Sequence, residues 1–221
     1  MRFIEKEYGP NILRLFQSID EGYGAARADL FRYLALYRLG GVYLDVKTRV
    51  DCSFDDWICE SDTFILSQHS ISHKKKYPGA GYHKAICNVE GGEFINWFLF
   101  SAPRHPYLKQ VIEYVLCQLR YYSPFLSGVG KGATLATTGP VAFTLAISPV
   151  LGKYPYRFVN DLDAYGIYYS IRDGAGHEAW FPNHYRKQLQ PLVKIHSWHW
   201  GLYKSARYVK GLLNRFLTVS R

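Results

Sequence analysis

Asp29, Arg32 and Asp45 are the residues whose types and spacing allow them to do chemistry together. Asp29 and Arg32 stand three apart in Ala25-Ala26-Arg27-Ala28-Asp29-Leu30-Phe31-Arg32-Tyr33-Leu34. One helical turn separates them, so a carboxylate and a guanidinium share a face and can reach one ligand. Asp45 sits near the C-terminal end of Val42-Tyr43-Leu44-Asp45-Val46, which reads as a buried strand with one carboxylate breaking its apolar face. In open α/β sheets the ligand crevice lies at that end of the strands. Carboxylates accept hydrogen bonds from paired hydroxyls and arginine donates them in a fixed fork, so the combination suits a sugar. The plain alternative is a capped amphipathic helix carrying an ordinary surface ion pair.

The elements that must position these groups are legible around them. Leu30, Tyr33, Leu34 and Tyr37 recur at helical spacing from Ala25 onward, and Gly40-Gly41 ends the run as a C-cap does. Before this helix, Asn11 to Asp20 reads as a short helix, with a turn at Gly22 and Gly24. After the Asp45 strand, Thr63 to Ser67 and Glu93 to Ser101 are predicted strands. Pro106 opens a helix to about Tyr121. Ser123 to Thr138 reads as loop, and Gly139-Pro140 opens a short helix to about Ile147. Tyr156 to Val159, Ala164 to Ser170 and Leu192 to His196 read as extended, and a last helix runs from Gly201. Such alternation predicts an α/β architecture with a mostly parallel sheet flanked by helices.

Composition narrows the classes. A chain of 221 residues, 48% hydrophobic and 20% charged, buries a sizeable core, which excludes disorder as its main state. No uninterrupted apolar stretch of transmembrane length is read, and the charged start Met1-Arg2-Phe3-Ile4-Glu5-Lys6-Glu7 carries no secretory signal. The formal net charge of +9 favours anionic partners. The tyrosines would suit base stacking, but no nucleic-acid-binding motif is present and no nucleic-acid partner is expected. Cys52, Cys59, Cys87 and Cys117 form no C-x-x-C pair and are read as reduced thiols of a cytoplasmic protein rather than as a Cys52 to Cys59 disulfide of an exported one.

The run ARADLFRYLALYRLGGVYLD resembles the signature of family 32 glycosyltransferases, the sugar-binding region with an aspartate-any-aspartate motif, related to the glucosylating bacterial toxins. Further segments are similar to that family in the same order: Phe94-Ile95-Asn96 with Ala102-Pro103-Arg104-His105-Pro106, then Thr138-Gly139-Pro140 with Thr144, then His196-Ser197-Trp198 with Trp200. The resemblance implies a GT-A-like, Rossmann-type nucleotide-diphospho-sugar transferase fold over residues 1–200. It also implies transfer of a hexose from a nucleotide-diphosphate sugar with retention of configuration, onto a glycan or glycolipid acceptor. Carried over by position, Asp29 and Arg32 would hold donor sugar hydroxyls, with Tyr43 beside them. Asp45 would touch ribose, sugar or metal-bound water. Asn96 would lie near the donor sugar, and Ser197, Trp198 or Trp200 would close over the diphosphate.

Two departures qualify that picture. Where the family carries its second aspartate, a ligand of manganese or magnesium, this chain reads Asp45-Val46-Lys47. An ammonium cannot ligate a hard cation. Either Lys47 itself neutralises the diphosphate, or Asp51 or a downstream His supplies a ligand beside Asp45, or the site is an inactive nucleotide-sugar-binding partner subunit. Retained activity with weakened metal use is the expectation. The second departure is at the front, where the family's apolar first strand has no counterpart, so the domain is expected to be truncated relative to the family.

Other motifs are set aside or kept as expectations. His177, Glu178 and His184 have the wrong spacing for a zinc protease. Gly128-Val129-Gly130-Lys131-Gly132-Ala133 lacks the pattern of a phosphate loop and reads as a lid or plain loop, and Lys74-Lys75-Lys76 as a solvated turn. Residues 201–221 place Leu202, Ala206, Val209, Leu213, Phe216 and Leu217 near one face, with Lys204, Arg207, Lys210, Arg215 and Arg221 on the remainder. That is the pattern of an interfacial helix, and it predicts peripheral contact with an anionic membrane.

Overall fold

The computed structural model describes residues 1–169 and 188–219. Helices α1 (Arg2–Ser18) and α2 (Gly24–Leu39) lead into β1 (Gly41–Leu44), followed by β2 (Arg49–Val50), β3 (Phe64–Ser67), α3 (Ile71–Lys76) and β4 (Phe98–Ser101). Then come α4 (Pro106–Arg120), α5 (Pro124–Ser127), α6 (Gly130–Thr137), α7 (Pro140–Ile147), β5 (Arg157–Val159), β6 (Ile167–Tyr168) and α8 (Ser197–Val219). The zinc-protease-like segment His177 to His184 lies outside the described residues.

Helix α2 forms where its apolar spacing predicts it. Leu30, Tyr33 and Leu34 are completely buried, each worth roughly 1.5–3 kcal/mol of burial. Gly40 ends it with φ of 71°, a conformation that L side chains resist, and releases the chain directly into β1. Helix α4 starts as read, with Pro106 in its first turn and the His105 side chain accepting from the Tyr107 backbone N–H.

Residues of β3 and β4 alternate between two cores. Phe64, Leu66 and Leu99 pack under α1, α2, α4, α6 and α7, while Ile65 and Phe98 face a second cluster built from Trp57, Ile95, Trp97, Val159, Leu162 and Ile167. The sheet is therefore covered on both faces.

Its strand directions correct the sequence reading. The order is β1-β4-β3-β5, with β1–β4 and β4–β3 antiparallel and only β3–β5 parallel, while β2 and β6 form a separate antiparallel pair. Continuous apolar strands signal burial on both faces, not direction. Between β3 and β4 the chain makes only the six-residue α3 and a short 3-10 turn, too little for a crossover helix, and it returns antiparallel.

Other boundaries shift as well. Helix α1 begins at Arg2 rather than Asn11 and kinks where Gly9 takes φ of 77° before Pro10. The expected loop 123–138 contains α5 and α6, because Gly130, Ala133, Thr134 and Thr137 turn one face into the core. Lys74 and its neighbours lie in α3, capped by Ser70, instead of a bare turn. Of the last expected strand only Val193 pairs, bridging to Ile19. Residues Gly130–Val150 are long and apolar enough by composition to cross a membrane, contrary to the sequence reading, but the chain breaks at Thr138-Gly139 between α6 and α7 and most of the stretch is buried in the core. All four cysteines are free thiols.

A Cβ at Gly40 would lie 2.6 Å from Pro103 Cδ, whereas one at Gly9 meets nothing within 4 Å. Gly40→Ala is therefore expected to cost about 2 kcal/mol or more and Gly9→Ala about 1 kcal/mol, since both carry positive-φ strain and only the first adds a clash. Urea unfolding of the two variants measures the difference; equal losses would contradict the Pro103 contact.

Candidate active site

The α2 helix presents Asp29 and Arg32 one turn apart, and both are only 5% exposed. Beyond Gly40, β1 runs back along the sheet and delivers Asp45, whose backbone N–H extends the ladder to the Trp97 carbonyl at 2.8 Å. The Asp45 carbonyl accepts from Thr48 N–H at 2.8 Å, closing a turn with Val46 exposed at its tip and Lys47 beside it.

Arg32 is the centre of this arrangement. Its Nη2 lies 3.2 Å from Asp29 Oδ1 and 3.2 Å from Asp45 Oδ1. Its Nη1 donates a short hydrogen bond to the Asn96 carbonyl, and the guanidinium lies 4.3 Å over the Tyr43 ring. Asp29 Oδ1 also accepts from Asn96 Nδ2 at 3.1 Å, and Oδ2 accepts from the Thr138 hydroxyl at 3.0 Å. Tyr33 closes the network, accepting from Asn96 Nδ2 at 2.8 Å and donating to the Thr138 carbonyl at 2.9 Å.

Burial dominates the electrostatics. It pushes the Asp29 carboxyl up to about 6, against the pull of Arg32, Thr138 and Asn96. Burial also works against the Arg32 charge, but Asp29 and Asp45 outweigh it and raise its pKa, so the guanidinium stays charged. The Tyr43 hydroxyl, which donates to Asp45 Oδ1 at 3.1 Å, is pushed up to about 12, first by burial, with Arg32 lowering it and Asp45 raising it.

The accessible groups are Asp45 and Lys47, whose side chains are each about a quarter exposed. They lie 4.0 Å apart, and Lys47 Nζ donates to the Tyr169 hydroxyl at 2.6 Å while standing 4.1 Å over that ring. The structure thus brings Asp29, Arg32, Tyr43, Asp45, Lys47 and Asn96 together. Asp29 is the least available to a ligand, since three of its four lone-pair positions are taken, and in this arrangement it positions Arg32.

These residues do not fit a divalent cation. Asp45 is the one carboxylate at the turn, and its oxygens face Arg32 on one side and Lys47 on the other. A hard cation needs about six oxygen ligands, not two cationic neighbours. Asp51, the alternative ligand, is ion-paired to Arg49 at 3.0 Å. The downstream His69 and His83 hold Glu93, at 3.1 and 2.9 Å. Among the described residues no group of three or more His, Cys, Asp or Glu side chains is arranged to hold a metal.

Ser197, Trp198 and Trp200 are not joined to this cluster by any hydrogen bond, ion pair or ring contact among the described residues. They lie at the start of α8, where Trp200 stacks on Tyr203 at 5.2 Å and Tyr203 meets Phe125 at 5.3 Å. The sequence reading missed three members of the network. Tyr33 follows Asp29 by one turn and was read only as core. Thr138 stood in a recognised motif without a role, and nothing near Tyr169 marked it as the partner of Lys47.

Residues 1–64 match the family described as "Glycosyltransferase sugar-binding region containing DXD motif", the family to which the motif resemblance pointed. That span contains α2, β1 and the whole Asp45–Lys47 turn, so Asp29, Arg32 and Asp45 all lie within the matched residues. No curated protein matches the sequence. Among solved structures, one titled "PaToxG Glycosyltransferase" is similar at 15% identity with a TM-score of 0.44. The alignment covers 67% of this chain and 44% of that one, so this chain spans less than half its length.

Because the folded state holds the Asp29 proton up to about pH 6 while an unfolded aspartate releases it near 3.9, the associated stability is fully present below about pH 4 and is lost as pH rises through 6. Relative to Asp29→Asn, the wild type should lose about 2 kcal/mol between pH 4 and 7. Denaturant unfolding of both across that range measures it; parallel pH profiles would show that Asp29 titrates normally.

Proposed function

We propose that this chain is a GT-A-type glycosyltransferase that moves a hexose from a nucleotide-diphosphate sugar to a hydroxyl of a glycan or glycolipid, with retention of configuration. The observation that carries this reading is the buried Arg32 shared by Asp29 and Asp45 inside the family-matched region, opening onto a turn whose second motif position is Lys47.

In this reading the donor's sugar hydroxyls meet Asp45 and the Arg32 fork, with Asn96 and Asp29 fixing both from behind. Lys47 faces the diphosphate. A unit charge at about 4 Å and an effective dielectric near 20 contributes on the order of 4 kcal/mol, enough to take over the neutralisation that the family assigns to a metal. The carboxylate Asp45 accepts from hydroxyls while Lys47 attracts phosphate, so one turn sorts the two ends of the donor. No side chain is nominated as nucleophile. The acceptor oxygen bonds the anomeric carbon as the bond to the diphosphate breaks on the same face, and the acceptor proton passes to the departing diphosphate. The protein orients the reactants and neutralises charge.

A second reading rests on the same Lys47: with the second aspartate replaced, the chain binds the nucleotide sugar without turning it over. Diphosphate release from a panel of nucleotide sugars, with added manganese and with chelator, separates the two. A thermal shift on donor without released diphosphate identifies a binding module. The transferase reading expects turnover that survives chelation, an Asp45→Ala variant reduced by at least about 100-fold, and a Lys47→Asp variant whose activity depends on added manganese. Unchanged activity in both variants would refute the site.

A further inference from the structure

Among the described residues, helix α8 is held to the rest of the chain through its contacts with α5. Tyr203 is buried against Phe125 of α5, and His199 lines a small cleft with Tyr122, Pro124 and Phe125. Among the described residues, a different stripe of the same helix is exposed. Trp198, Leu202 and Val209 follow the i, i+4, i+11 spacing of one helical face and are 60%, 56% and 53% exposed. Phe125 and Leu126, on the α5 segment that anchors α8, are exposed as well. Isolated exposed apolar residues are ordinary, but an ordered stripe along one helical face marks an interaction surface.

Charge identifies what covers it. The 25 residues from Ser197 to Arg221 contain five Lys or Arg and no Asp or Glu, and so carry five of the chain's nine net positive charges. Within the described side chains Lys204 and Arg207 sit off the apolar stripe, over the rings of Trp200 and Tyr203. A second copy of the chain would bring two acid-free cationic helices together, which like-charge repulsion opposes. A nucleic acid would answer the charge but leave the stripe uncovered. A bilayer with anionic headgroups answers both: the stripe enters the acyl boundary and the basic side chains reach phosphates within a Debye length of about 8 Å.

We propose that α8, with the α5 tip beside it, docks this protein on an anionic lipid surface. This surface is separate from the Arg32 network, and the inference does not rest on the transferase reading. On the transferase reading, docking there would also bring the site to acceptors anchored in that surface.

The test is flotation of the full chain with vesicles of phosphatidylcholine alone and of phosphatidylcholine with about a third phosphatidylglycerol. Wild type is expected to float with the anionic vesicles only, and less as salt rises. The variant L202D/V209D should bind at least about tenfold less while keeping the wild-type melting temperature. K204E/R207E should bind more weakly with a reduced salt dependence. Equal flotation of wild type and L202D/V209D, or no flotation of wild type on anionic vesicles, overturns the proposal. So does a concentration-dependent dimer in sedimentation velocity that L202D/V209D abolishes, because the stripe would then belong to a second copy. Diphosphate release assayed without vesicles stays as it is in wild type for L202D/V209D, so failure of the membrane inference and failure of the transferase reading give different results.

Discussion

A guanidinium buried to 5% exposure is shielded from nearly all solvent, and the protein must supply most of its environment. Arg32 receives that environment from three separate elements: Asp29 on its own helix, Asp45 at the end of β1, and the Asn96 carbonyl on the approach to β4. Each contact constrains a different degree of freedom. The Asp45 pair sets how far β1 extends past α2, the Asn96 carbonyl sets the height of the 94–97 segment, and Tyr43 under the guanidinium sets the side of β1 that faces α2. Removing one carboxylate from such an arrangement typically costs 3–5 kcal/mol, because it leaves a buried charge unbalanced. The arrangement therefore acts more through where it places Asp45 than through net stabilisation.

What lay in the sequence and what did not divide along a physical line. Helix α2, its Gly40 stop and the start of α4 at His105-Pro106 were legible because each depends on residues within one or two turns: apolar spacing, a positive-φ glycine, a capping side chain. Asp29, Arg32 and Asp45 were legible for the same reason, one pair on a helical face and one carboxylate at a strand end. The antiparallel order β1-β4-β3 was not, because the Phe98–Ser101 run is apolar in either direction and its direction follows from the excursion between β3 and β4. Helices α5 and α6 were hidden by glycines that suggested loop, although Gly130 begins a helix whose Ala133, Thr134 and Thr137 are buried. Thr138 and Tyr169 reach the site across 109 and 122 residues of chain, a separation that no local pattern encodes, whereas Tyr33 lies one turn from Asp29 and its helical spacing fitted a core role equally well.

The Glu93 pair of histidines shows the same buried-charge rule away from the site. Burial raises the Glu93 carboxyl, but hydrogen bonds from His69 and His83 outweigh it and hold it below the usual range. His69 then stacks on His73, whose ring lies edge-on to Tyr169, the partner of Lys47. The segment between β3 and β4 thus buttresses the residue that orients the cation at the motif turn.

That cation changes the electrostatic logic of the motif. With aspartates at both positions, the turn and α2 would present three carboxylates to a single arginine, an arrangement that needs an external positive charge to be tolerable in a half-buried place. With Lys47 the count is two carboxylates and two cations, and each carboxylate is in contact with a cation: Asp29 with Arg32, and Asp45 with both Arg32 and Lys47. The site is electrically complete before any ligand arrives. On the transferase reading, an incoming diphosphate would meet a fixed ammonium rather than a metal that must be recruited first, while hydroxyls would compete with Lys47 for Asp45. A ligand carrying both groups on adjacent atoms satisfies the two residues at once, whereas a free phosphate or a free sugar satisfies only one. On the transferase reading proposed above, the Asp-Val-Lys turn would therefore favour a glycosyl phosphate over either of its parts.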